Sequence, residues 1–346
     1  MATFGTNGPD FFTGTDVADE YYALGDDDIA NGFGGNDSFF LGGGADLAIG
    51  ATGDDFLVGE GGNDTLRGED GNDSLFGGSN TDAAGSAEDL IEGGAGNDLM
   101  LGGDGNDALR AGAGDDDANG NVGVDLVYGG EGRDFVRGGQ GNDVIYGDAG
   151  DDWHINGNIG NDTVYGGDGD DTIFGGQGND QLWGGAGNDV IRADLGGAGL
   201  VPGEAGDDTL FGSIDDAFNF LDGGVGNDLI YGSPGYDDLQ GRVGNDTMAG
   251  GLGNDGILVT PGSGVDAYLD FEGAGQPGGD FIDFQTKMNG LELPDAAAVL
   301  ARTFAFADAS GNGTEIDFGG GNRLLLYGVP YGTLTAVDFI PDPLLT

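Results

Sequence analysis

Residues 138–192 determine the predicted architecture of this chain, because they contain its most regular repeats. Residues 138–152 read GGQGNDVIYGDAGDD, and residues 166–192 read GGDGDDTIFGGQGNDQLWGGAGNDVIR. Each nine-residue copy combines a glycine-rich hexad that ends in aspartate with a predicted strand of three residues whose middle residue is apolar. A fixed repeat of turn and short strand is typical of a β-solenoid. The sequence therefore predicts an all-β fold built from stacked coils.

The aspartate that ends each hexad, here called the marker aspartate, follows the repeat along most of the chain. Two copies make one coil of a parallel β-solenoid, so successive copies alternate between two sheets and every second copy stacks. Within each predicted strand the residue two positions after the marker points inward, and its neighbours point outward. The markers recur at nine-residue intervals, with interruptions, from Asp10 to Asp82, from Asp89 to Asp152, from Asp162 to Asp189, at Asp208, and from Asp228 to Asp255. We interpret residues 79–88 as a surface loop or a degenerate copy, and residues 193–207 and 213–221 as insertions.

Glycine, with 80 of the 346 residues, supplies the predicted turns. Its nine-residue period excludes collagen, in which glycine recurs at every third residue. A tight corner in each copy requires positive φ, which glycine adopts freely and asparagine tolerates better than most residues. We therefore expect positive φ also at the asparagines that directly precede a marker, which are Asn63, Asn97, Asn106, Asn142, Asn179, Asn188, Asn227 and Asn245.

The charge of the chain predicts a fold that depends on bound cations. The chain has 63 acidic and 9 basic residues, and its formal net charge of -54 opposes a compact state. Carboxylates and turn carbonyls favour Ca²⁺ over softer metals, and roughly 20 ions between successive coils would neutralise most of the charge. The alternative, a solvated, halophilic or disordered acidic surface, gives no reason for one aspartate at a fixed offset from glycines. The predicted calcium ligands are Asp37, Asp46, Asp55, Asp64, Asp73, Asp98, Asp107, Asp116, Asp125, Asp134, Asp143, Asp152, Asp162, Asp171, Asp180, Asp189, Asp208, Asp228, Asp237 and Asp246.

An outward ladder of aromatic residues is predicted on one face of the solenoid. Its members directly follow the inward residue in every second copy, and they are Tyr128, Tyr146, Tyr165 and Trp183. Stacked aromatic residues can stabilise one another, and they can equally form a lateral surface for another copy of the chain or for a cell-surface polysaccharide. The sequence leaves these interpretations open.

The opposite face is predicted to carry Arg137, Ile155, Phe174 and Arg192. The copy that begins after Asp152 has one extra residue, so either His154 or Ile155 can face inward. A single histidine rules out an H-E-x-x-H motif, and no G-x-S-x-G motif occurs. A flat sheet face also lacks the cleft in which a glycosidase places its two carboxylates. The sequence therefore does not predict an enzyme.

Several other classes of protein are disfavoured. The absence of cysteine excludes disulfides and thiolate metal sites. The acidic composition disfavours a nucleic-acid partner, and no apolar stretch is long enough for a membrane span. The first residues, MATFGTNGPDFF, lack the basic and apolar regions of a cleaved signal peptide. A calcium-dependent fold is unsuited to the calcium-poor cytosol, so we expect export by a route that does not use the N-terminus.

Copies such as GGDGDDTIF, GGQGNDQLW and GGAGNDVIR resemble the G-G-x-G-x-D-x-U-x nonapeptides of the RTX family, the haemolysin-type calcium-binding repeats. The resemblance extends over roughly residues 5–260. It implies a right-handed parallel β-roll in which marker carboxylates and turn carbonyls hold Ca²⁺ between coils. Copies without paired glycines, such as those at Asp10, Asp19 and Asp216, are less suited to calcium.

The roll is predicted to occupy residues 1–258, and a C-terminal β-rich domain residues 259–346. Alternating patterns predict antiparallel strands in AYLDFEGAGQPGGDFIDF, TEIDFGGGNRLLLYGV and LTAVDFI, with a short helix near residues 295–301. This domain resembles the C-terminal cap and type I secretion target of RTX proteins, with matching positions at 281–284 and 338–340. The resemblance implies that type I secretion machinery exports an unfolded chain, which folds outside the cell where calcium is abundant.

Two functional hypotheses follow. The first is an extracellular, non-enzymatic structural protein that assembles with itself into a filament, matrix or surface layer. Its motive is that no capping segment is expected before the first copy, and an open sheet edge favours pairing with another chain. The second is an adhesin or polysaccharide-binding β-roll that uses the aromatic ladder.

Overall fold

The computed structural model describes residues 2–78, 87–196, 199–273, 279–285, 287–288, 291–293, 295–307 and 311–342. The chain divides into two compact units, Met1–Gly178 and Asn179–Thr346. Both units contain coils of a parallel β-solenoid, and the second also contains antiparallel strands. The marker Asp82 and most of the predicted surface loop at residues 79–88 lie outside the described residues.

The first unit contains β1 (Thr3–Phe4), β2 (Phe11–Thr13), β3 (Glu20–Tyr22), β4 (Ile29–Asn31), β5 (Ser38–Gly43), β6 (Leu47–Thr52), β7 (Phe56–Gly61), β8 (Thr65–Asp70), β9 (Ser74–Gly78), β10 (Leu90–Ala95), β11 (Leu99–Asp104), β12 (Ala108–Ala113), β13 (Asp117–Val122), β14 (Leu126–Glu131), β15 (Phe135–Gln140), β16 (Val144–Ala149), β17 (His154–Ile159), β18 (Thr163–Asp168) and β19 (Thr172–Gln177).

These strands form two parallel sheets, as the alternation of copies predicts. The odd-numbered strands make sheet A, and the even-numbered strands make sheet B. Neighbouring strands pair residues 18 positions apart in regular coils, for example Tyr128 with Tyr146. A longer coil does not disturb this register, since Leu90 pairs with Thr65, 25 positions earlier, and with Ala108, 18 positions later. Stacking of every second copy is therefore confirmed.

The core of the first unit is a column of apolar side chains, one from each strand. The prediction that the residue two positions after the marker points inward is confirmed, because these side chains are completely buried. Most strands have six residues instead of the predicted three, since the first turn residues continue the ladder: in β14 both Val127 and Gly129 are buried, and Gly130 pairs with Gly112. The buried residues are Phe39, Ala48, Leu57, Leu66, Leu75, Ile91, Met100, Leu109, Ala118, Val127, Val136, Ile145, Ile155, Val164 and Ile173.

The copy with the extra residue places Ile155 inside and His154 outside. Ile155 is completely buried and pairs with Val136. The His154 ring stacks between Phe135 and Phe174, with centroid distances of 4.5 and 4.8 Å. The assignment of Ile155 to the outer face is therefore wrong, because Trp153 accommodates the insertion before the strand begins.

The second unit contains β20 (Gln181–Ala186), β21 (Val190–Asp194), β22 (Gly199–Ala205), β23 (Thr209–Ser213), β24 (Asn219–Val225), β25 (Leu229–Tyr231), β26 (Asp237–Val243), β27 (Thr247–Ala249), β28 (Gly256–Val259), β29 (Val265–Tyr268), β30 (Phe281–Gln285), β31 (Lys287–Met288), β32 (Leu291–Glu292), α1 (Ala296–Leu300), β33 (Thr303–Ala307), β34 (Asn312–Gly319), β35 (Asn322–Tyr327), a 3-10 helix (Ala336–Asp338) and β36 (Phe339–Asp342).

The pairing in the second unit corrects several sequence-based expectations. The segments 193–207 and 213–221, interpreted as insertions, supply strands β22 and β24 of the parallel sheet. The predicted antiparallel arrangement is wrong for β29, β30 and β36, which pair in parallel. It is confirmed for β34 and β35, while β33, which was not predicted, pairs antiparallel with β34. The predicted helix is α1, capped by the Asp295 side chain. The domain boundary after residue 258 stays a prediction.

Candidate metal sites in the turns

Each regular turn of the roll has six residues and ends in the marker. In the turn Gly129–Asp134, the second residue, Gly130, has φ of 111° and the fourth, Gly132, has φ of 147°. Positive φ explains why glycine recurs at these two positions. The expectation of positive φ at the asparagine before the marker is wrong. Asn106 and Asn142 accept, through Oδ1, backbone N–H groups of the next coil at 2.8 and 2.7 Å.

The marker side chain ties its turn to the preceding coil. Asp134 Oδ1 accepts the backbone N–H of Asp116 at 2.8 Å. The residue before the marker makes the opposite tie, because Asp115 Oδ1 accepts the backbone N–H of Arg133 in the following coil at 3.0 Å. Two side-chain ladders of opposite direction therefore run along each row of turns.

In many marker aspartates, the second carboxylate oxygen, Oδ2, is buried and makes no hydrogen bond. The markers with such an Oδ2 atom include Asp28, Asp37, Asp46, Asp55, Asp64, Asp73, Asp98, Asp107, Asp116, Asp125, Asp134, Asp143, Asp152, Asp228, Asp246 and Asp255. A buried polar atom without a partner is costly, and native proteins rarely retain one without an ion or water. The repetition of this arrangement indicates a common ligand.

A backbone carbonyl faces the same space as the marker Oδ2. A Cβ atom built on Gly129 would lie 2.7 Å from Asp134 Oδ2 and 2.7 Å from the carbonyl oxygen of Gly147, one coil further on. The absence of a side chain at Gly129 therefore leaves a small cradle lined by a carboxylate and a carbonyl oxygen. These hard oxygen donors fit Ca²⁺.

Burial perturbs the marker carboxylates strongly. It raises the pKa of Asp125 to about 7, and the neighbouring carboxylate of Asp143 adds to the increase. It raises the pKa of Asp134 to about 6 and that of Asp152 to about 7. The ionised form of each carboxylate is disfavoured in these surroundings, and a bound cation would reverse this preference.

Side chains alone do not complete a metal site. Within the described residues, no three acidic, histidine or cysteine side chains form a metal-binding cluster. The sequence analysis expected carboxylates together with turn carbonyls as ligands, and the carbonyl beside the marker Oδ2 fits that expectation.

All predicted calcium ligands are buried at the predicted place in the turns. Sequence reasoning did not include Asp266 and Asp280, whose Oδ1 atoms accept the backbone N–H groups of Asp246 and Asp255. It also missed Asn219, which takes the marker position in register with Asp237. The sequence signal that could have identified these three positions is the apolar residue two positions later. These residues are Tyr268, Ile282 and Leu221, respectively, and all three are buried.

Comparison with known families agrees with this geometry. The family model described as the RTX calcium-binding nonapeptide repeat (4 copies) matches residues 13–48, 49–83, 84–118, 119–153, 156–191, 165–198 and 222–257. The chain belongs to the RTX repeat family. Its repeats are thus of the calcium-binding type, and RTX repeat proteins are generally secreted.

Other comparisons add little to the RTX assignment. Among solved structures, the chain is similar to the extracellular lipase LipA from Serratia marcescens, with 16% identity and a TM-score of 0.27. The alignment covers 76% of this chain and 42% of the lipase chain, so the RTX chain spans less than half the length of that neighbour. A search of curated proteins gives no match. In the described part of the chain, no helix is long and apolar enough to cross a membrane.

The predicted aromatic ladder of the RTX roll is present in the first unit. Tyr128, Tyr146 and Tyr165 are half-buried on sheet B, with centroid distances of 4.8 and 4.9 Å and interplanar angles of 6° and 7°. Their faces cover one another, so each ring presents mainly its edge and hydroxyl to solvent. Trp183 belongs to the second unit, where it occupies the equivalent half-buried position on β20.

Sheet A carries a second aromatic ladder, which was not predicted from the sequence. Phe4 stacks on Tyr22 at 5.1 Å, and Tyr22 stacks on Phe40 at 4.9 Å. Their spacing of 18 residues was the available signal. Phe56 and Phe76 continue this row with tilted rings at 5.6 and 5.3 Å.

Proposed function

We propose that this RTX chain is an extracellular, non-enzymatic structural protein whose β-roll forms when Ca²⁺ binds in its turns. The observation that carries the proposal is the row of buried marker Oδ2 atoms, each without a hydrogen-bond partner and, in turns such as Gly129–Asp134, facing a backbone carbonyl of the next coil. Calcium bound there supplies positive charge and links adjacent coils. The marker residues Asp37 to Asp246 named above are the proposed ligands, together with turn carbonyls.

Different residues of each turn would have different roles in holding the ion. The marker Oδ1 is fixed by a backbone N–H of the preceding coil, which orients Oδ2 toward the cradle. The first turn glycine keeps that cradle free of side-chain atoms. The second and fourth turn residues provide the positive φ that the corner needs. A rigid set of oxygen atoms at fixed spacing is well suited to repeated binding of one ion type.

The charge balance supports folding outside the cell. A net charge of -54 opposes compaction in a calcium-poor compartment, and calcium binding would couple metal uptake to folding. Export through type I secretion machinery, as is usual for RTX proteins, fits a chain that stays unfolded until it meets calcium. The unfolded form could pass a narrow channel, whereas a folded roll could not.

The surroundings of His154 support a structural role for the only histidine. Its ring is held between Phe135 and Phe174, and burial together with Arg137 lowers its pKa. A ring packed between aromatic rings of both neighbouring coils is poorly placed to approach a substrate. This arrangement favours a protein that acts through its surface.

Assembly with further copies of the chain is supported by exposed apolar side chains in the first unit. Phe4 and Phe11 are 67% and 73% exposed, and Val17, Leu24 and Phe33 are also more than half exposed. Exposed apolar side chains on an otherwise acidic protein favour protein contacts. We propose that these side chains contribute to a filament, matrix or surface layer.

Calcium-dependent folding is tested by far-UV circular dichroism of protein transferred from EGTA into calcium, with magnesium as the control. At a pH above the raised pKa values of the markers, we expect β structure only with calcium. An identical spectrum in EGTA and in calcium would overturn the proposal.

Self-assembly is tested separately by sedimentation velocity and negative-stain electron microscopy of the folded protein. We expect large particles in calcium that dissociate in EGTA. Monomers alone at high protein concentration in calcium would contradict assembly while leaving calcium-dependent folding intact.

The second candidate function is polysaccharide binding. The mutual stacking of Tyr128, Tyr146 and Tyr165 leaves few free ring faces for sugars, which favours a stabilising role for that ladder. An open groove of about 720 Å³ on sheet A is better suited, because it combines Val58, Phe76 and Leu101 with Glu60 and Asn121. Binding of surface polysaccharide that is lost in Phe76→Ala but kept in Tyr146→Ala would support this function, and no binding by the parent protein would contradict it.

A further inference from the structure

Most turns in the described part of the chain fall into two classes that differ in the backbone conformation near the start of the turn. In the first class the second residue has positive φ, as in Gly130 (111°) and Arg242 (66°). The Oδ2 atom of the marker that follows, Asp134 or Asp246, is buried without a hydrogen-bond partner. These are called open turns. Arg242 shows that residue type does not define the class.

In the second class, the closed turns, a residue at the start of the turn lies outside the positive-φ region, and its backbone N–H donates to the marker side chain. This residue is the second of the turn, except in the longer turn before Asp280, where it is the third, Glu272. The donor–acceptor pairs are Thr6 to Asp10 Oδ2 (2.5 Å), Thr15 to Asp19 Oδ2 (2.7 Å), Ser233 to Asp237 Oδ2 (2.5 Å), Glu272 to Asp280 Oδ2 (2.7 Å) and Ser213 to Asn219 Oδ1 (3.2 Å). The oxygen that open turns leave without a partner is therefore bonded by the protein in the closed turns.

The two classes differ in how far the preceding strand extends into the turn. In β14 (Leu126–Glu131) the ladder includes the second turn residue, Gly130, so its backbone follows the strand. In β25 (Leu229–Tyr231) the strand ends two residues before Ser233, and the Ser233 N–H points to the carboxylate. Threonine disfavours positive φ because its side chain is branched at Cβ, so it directs the turn to the closed form.

The closed turns also add side-chain hydrogen bonds. Thr15 Oγ1 donates to Asp19 Oδ2 at 3.0 Å, and Asn219 Nδ2 donates to Asp237 Oδ1 at 2.7 Å. With these bonds, Asp237 has donors on both carboxylate oxygens. An N–H group aimed at Oδ2 occupies the side from which a cation would approach, and its positive end repels the ion.

We infer that the closed turns at Asp10, Asp19, Asn219, Asp237 and Asp280 hold no calcium, whereas the open turns do. The inference rests on the calcium-dependent fold proposed above, and it removes Asp237 from the predicted ligands. It also gives both compact units turns that are complete without metal. Those turns keep their hydrogen bonds at low calcium, so each unit has a local starting point for ordering the open turns as calcium rises.

The test compares Asp237→Asn with Asp246→Asn in the full chain, and counts bound calcium at saturation by equilibrium dialysis and atomic emission. Asn219 shows that asparagine fits a closed turn. We expect an unchanged count for Asp237→Asn and the loss of at least one ion per chain for Asp246→Asn. Circular dichroism in calcium verifies that both variants fold. An equal loss in the two variants would overturn the inference.

A second variant tests the backbone rule. Ser233→Gly allows positive φ at this position, so we expect the turn to open and the chain to bind one more ion than the parent. An unchanged count would contradict the rule. Failure of the proposed function has a different signature, namely a parent protein that binds no calcium, and that result would remove both claims.

Discussion

At the scale of single residues, the feature that points to calcium is a buried carboxylate. One of its oxygens accepts a hydrogen bond, and the other has no hydrogen-bond partner. Asp134 has this arrangement, and the repeat places the same arrangement in turn after turn. Burial of the markers was predictable, because a residue at a fixed offset in each copy occupies the same place in each coil. Turn conformation was not predictable from residue type, since Glu60, Asn121 and Arg242 adopt positive φ just as glycine does.

The raised pKa values predict an effect of pH on the calcium-free protein. Burial raises the pKa of Asp125 to about 7 from an ordinary 3.8, so the folded form binds protons more tightly than the unfolded form. This contribution to stability is complete below the unfolded pKa and is lost as the pH rises through the folded pKa. In EGTA, we expect β structure to increase when the pH falls from about 8 to about 5, measured by circular dichroism.

Calcium binding should respond to pH in the opposite direction, because the ion competes with protons for the marker carboxylates. We expect the midpoint of the calcium titration to rise on acidification over the same range. A titration midpoint that does not change with pH would show that the markers are not the ligands.

Gly129→Ala should weaken calcium-induced folding. The new methyl group would lie 2.7 Å from both Asp134 Oδ2 and the Gly147 carbonyl, and overpacking costs about 1–3 kcal/mol. Gly61→Ala is the matched control, because a Cβ there meets no atom closer than 3.9 Å. The measurement is the calcium midpoint of folding. Equal midpoints for the two variants would contradict the proposed cradle.

At the scale of strands, the sequence was informative wherever the repeat kept its length. Pairing of every second copy and the inward residues of regular coils were predicted correctly. Prediction failed for β29 and β30, where the step from marker to marker is 20 residues between Asp246 and Asp266 and 25 between Asp255 and Asp280. A parallel strand that closes a coil of irregular length has no periodic signal, so its alternation was mistaken for an antiparallel pattern.

The tyrosine ladder should stabilise the strands that carry it. Tyr146 stacks on Tyr128 and on Tyr165, and each stacked pair contributes about 0.5–1.5 kcal/mol beyond buried area. We expect Tyr146→Ala to lower the unfolding free energy in calcium by roughly 1–3 kcal/mol, and Tyr146→Phe to be nearly neutral. Denaturant unfolding measures both. A neutral Tyr146→Ala that abolishes assembly would instead identify the ladder as an interface.

At the scale of the whole molecule, the excess of acidic residues makes the folded state depend on bound cations. The family and the calcium-binding type of repeat, which the resemblance of the nonapeptides implied, are confirmed by the match to the RTX family model. Function beyond calcium binding was less accessible to sequence reasoning, because partners are selected by outer faces whose residues the repeat does not constrain.

The calcium-free chain should be expanded. For 346 residues, the scaling of unfolded chains gives a radius of gyration of roughly 65 Å, and self-repulsion favours expansion further. We expect small-angle X-ray scattering in EGTA to give a value of this order, and calcium to reduce it by about half or more. Sodium chloride at matched ionic strength is the control. Equal compaction by sodium would indicate simple charge screening.

The opposed ladders formed by Asp115 and Asp134 tie each turn to the coil before it and to the coil after it. If the molecule were stretched from its two ends, its coils would therefore unfold one after another. Each regular coil of 18 residues would add roughly 60 Å of chain length before the next coil came under load. Such a protein would absorb mechanical energy in steps, and the force needed for each step would depend on the calcium concentration.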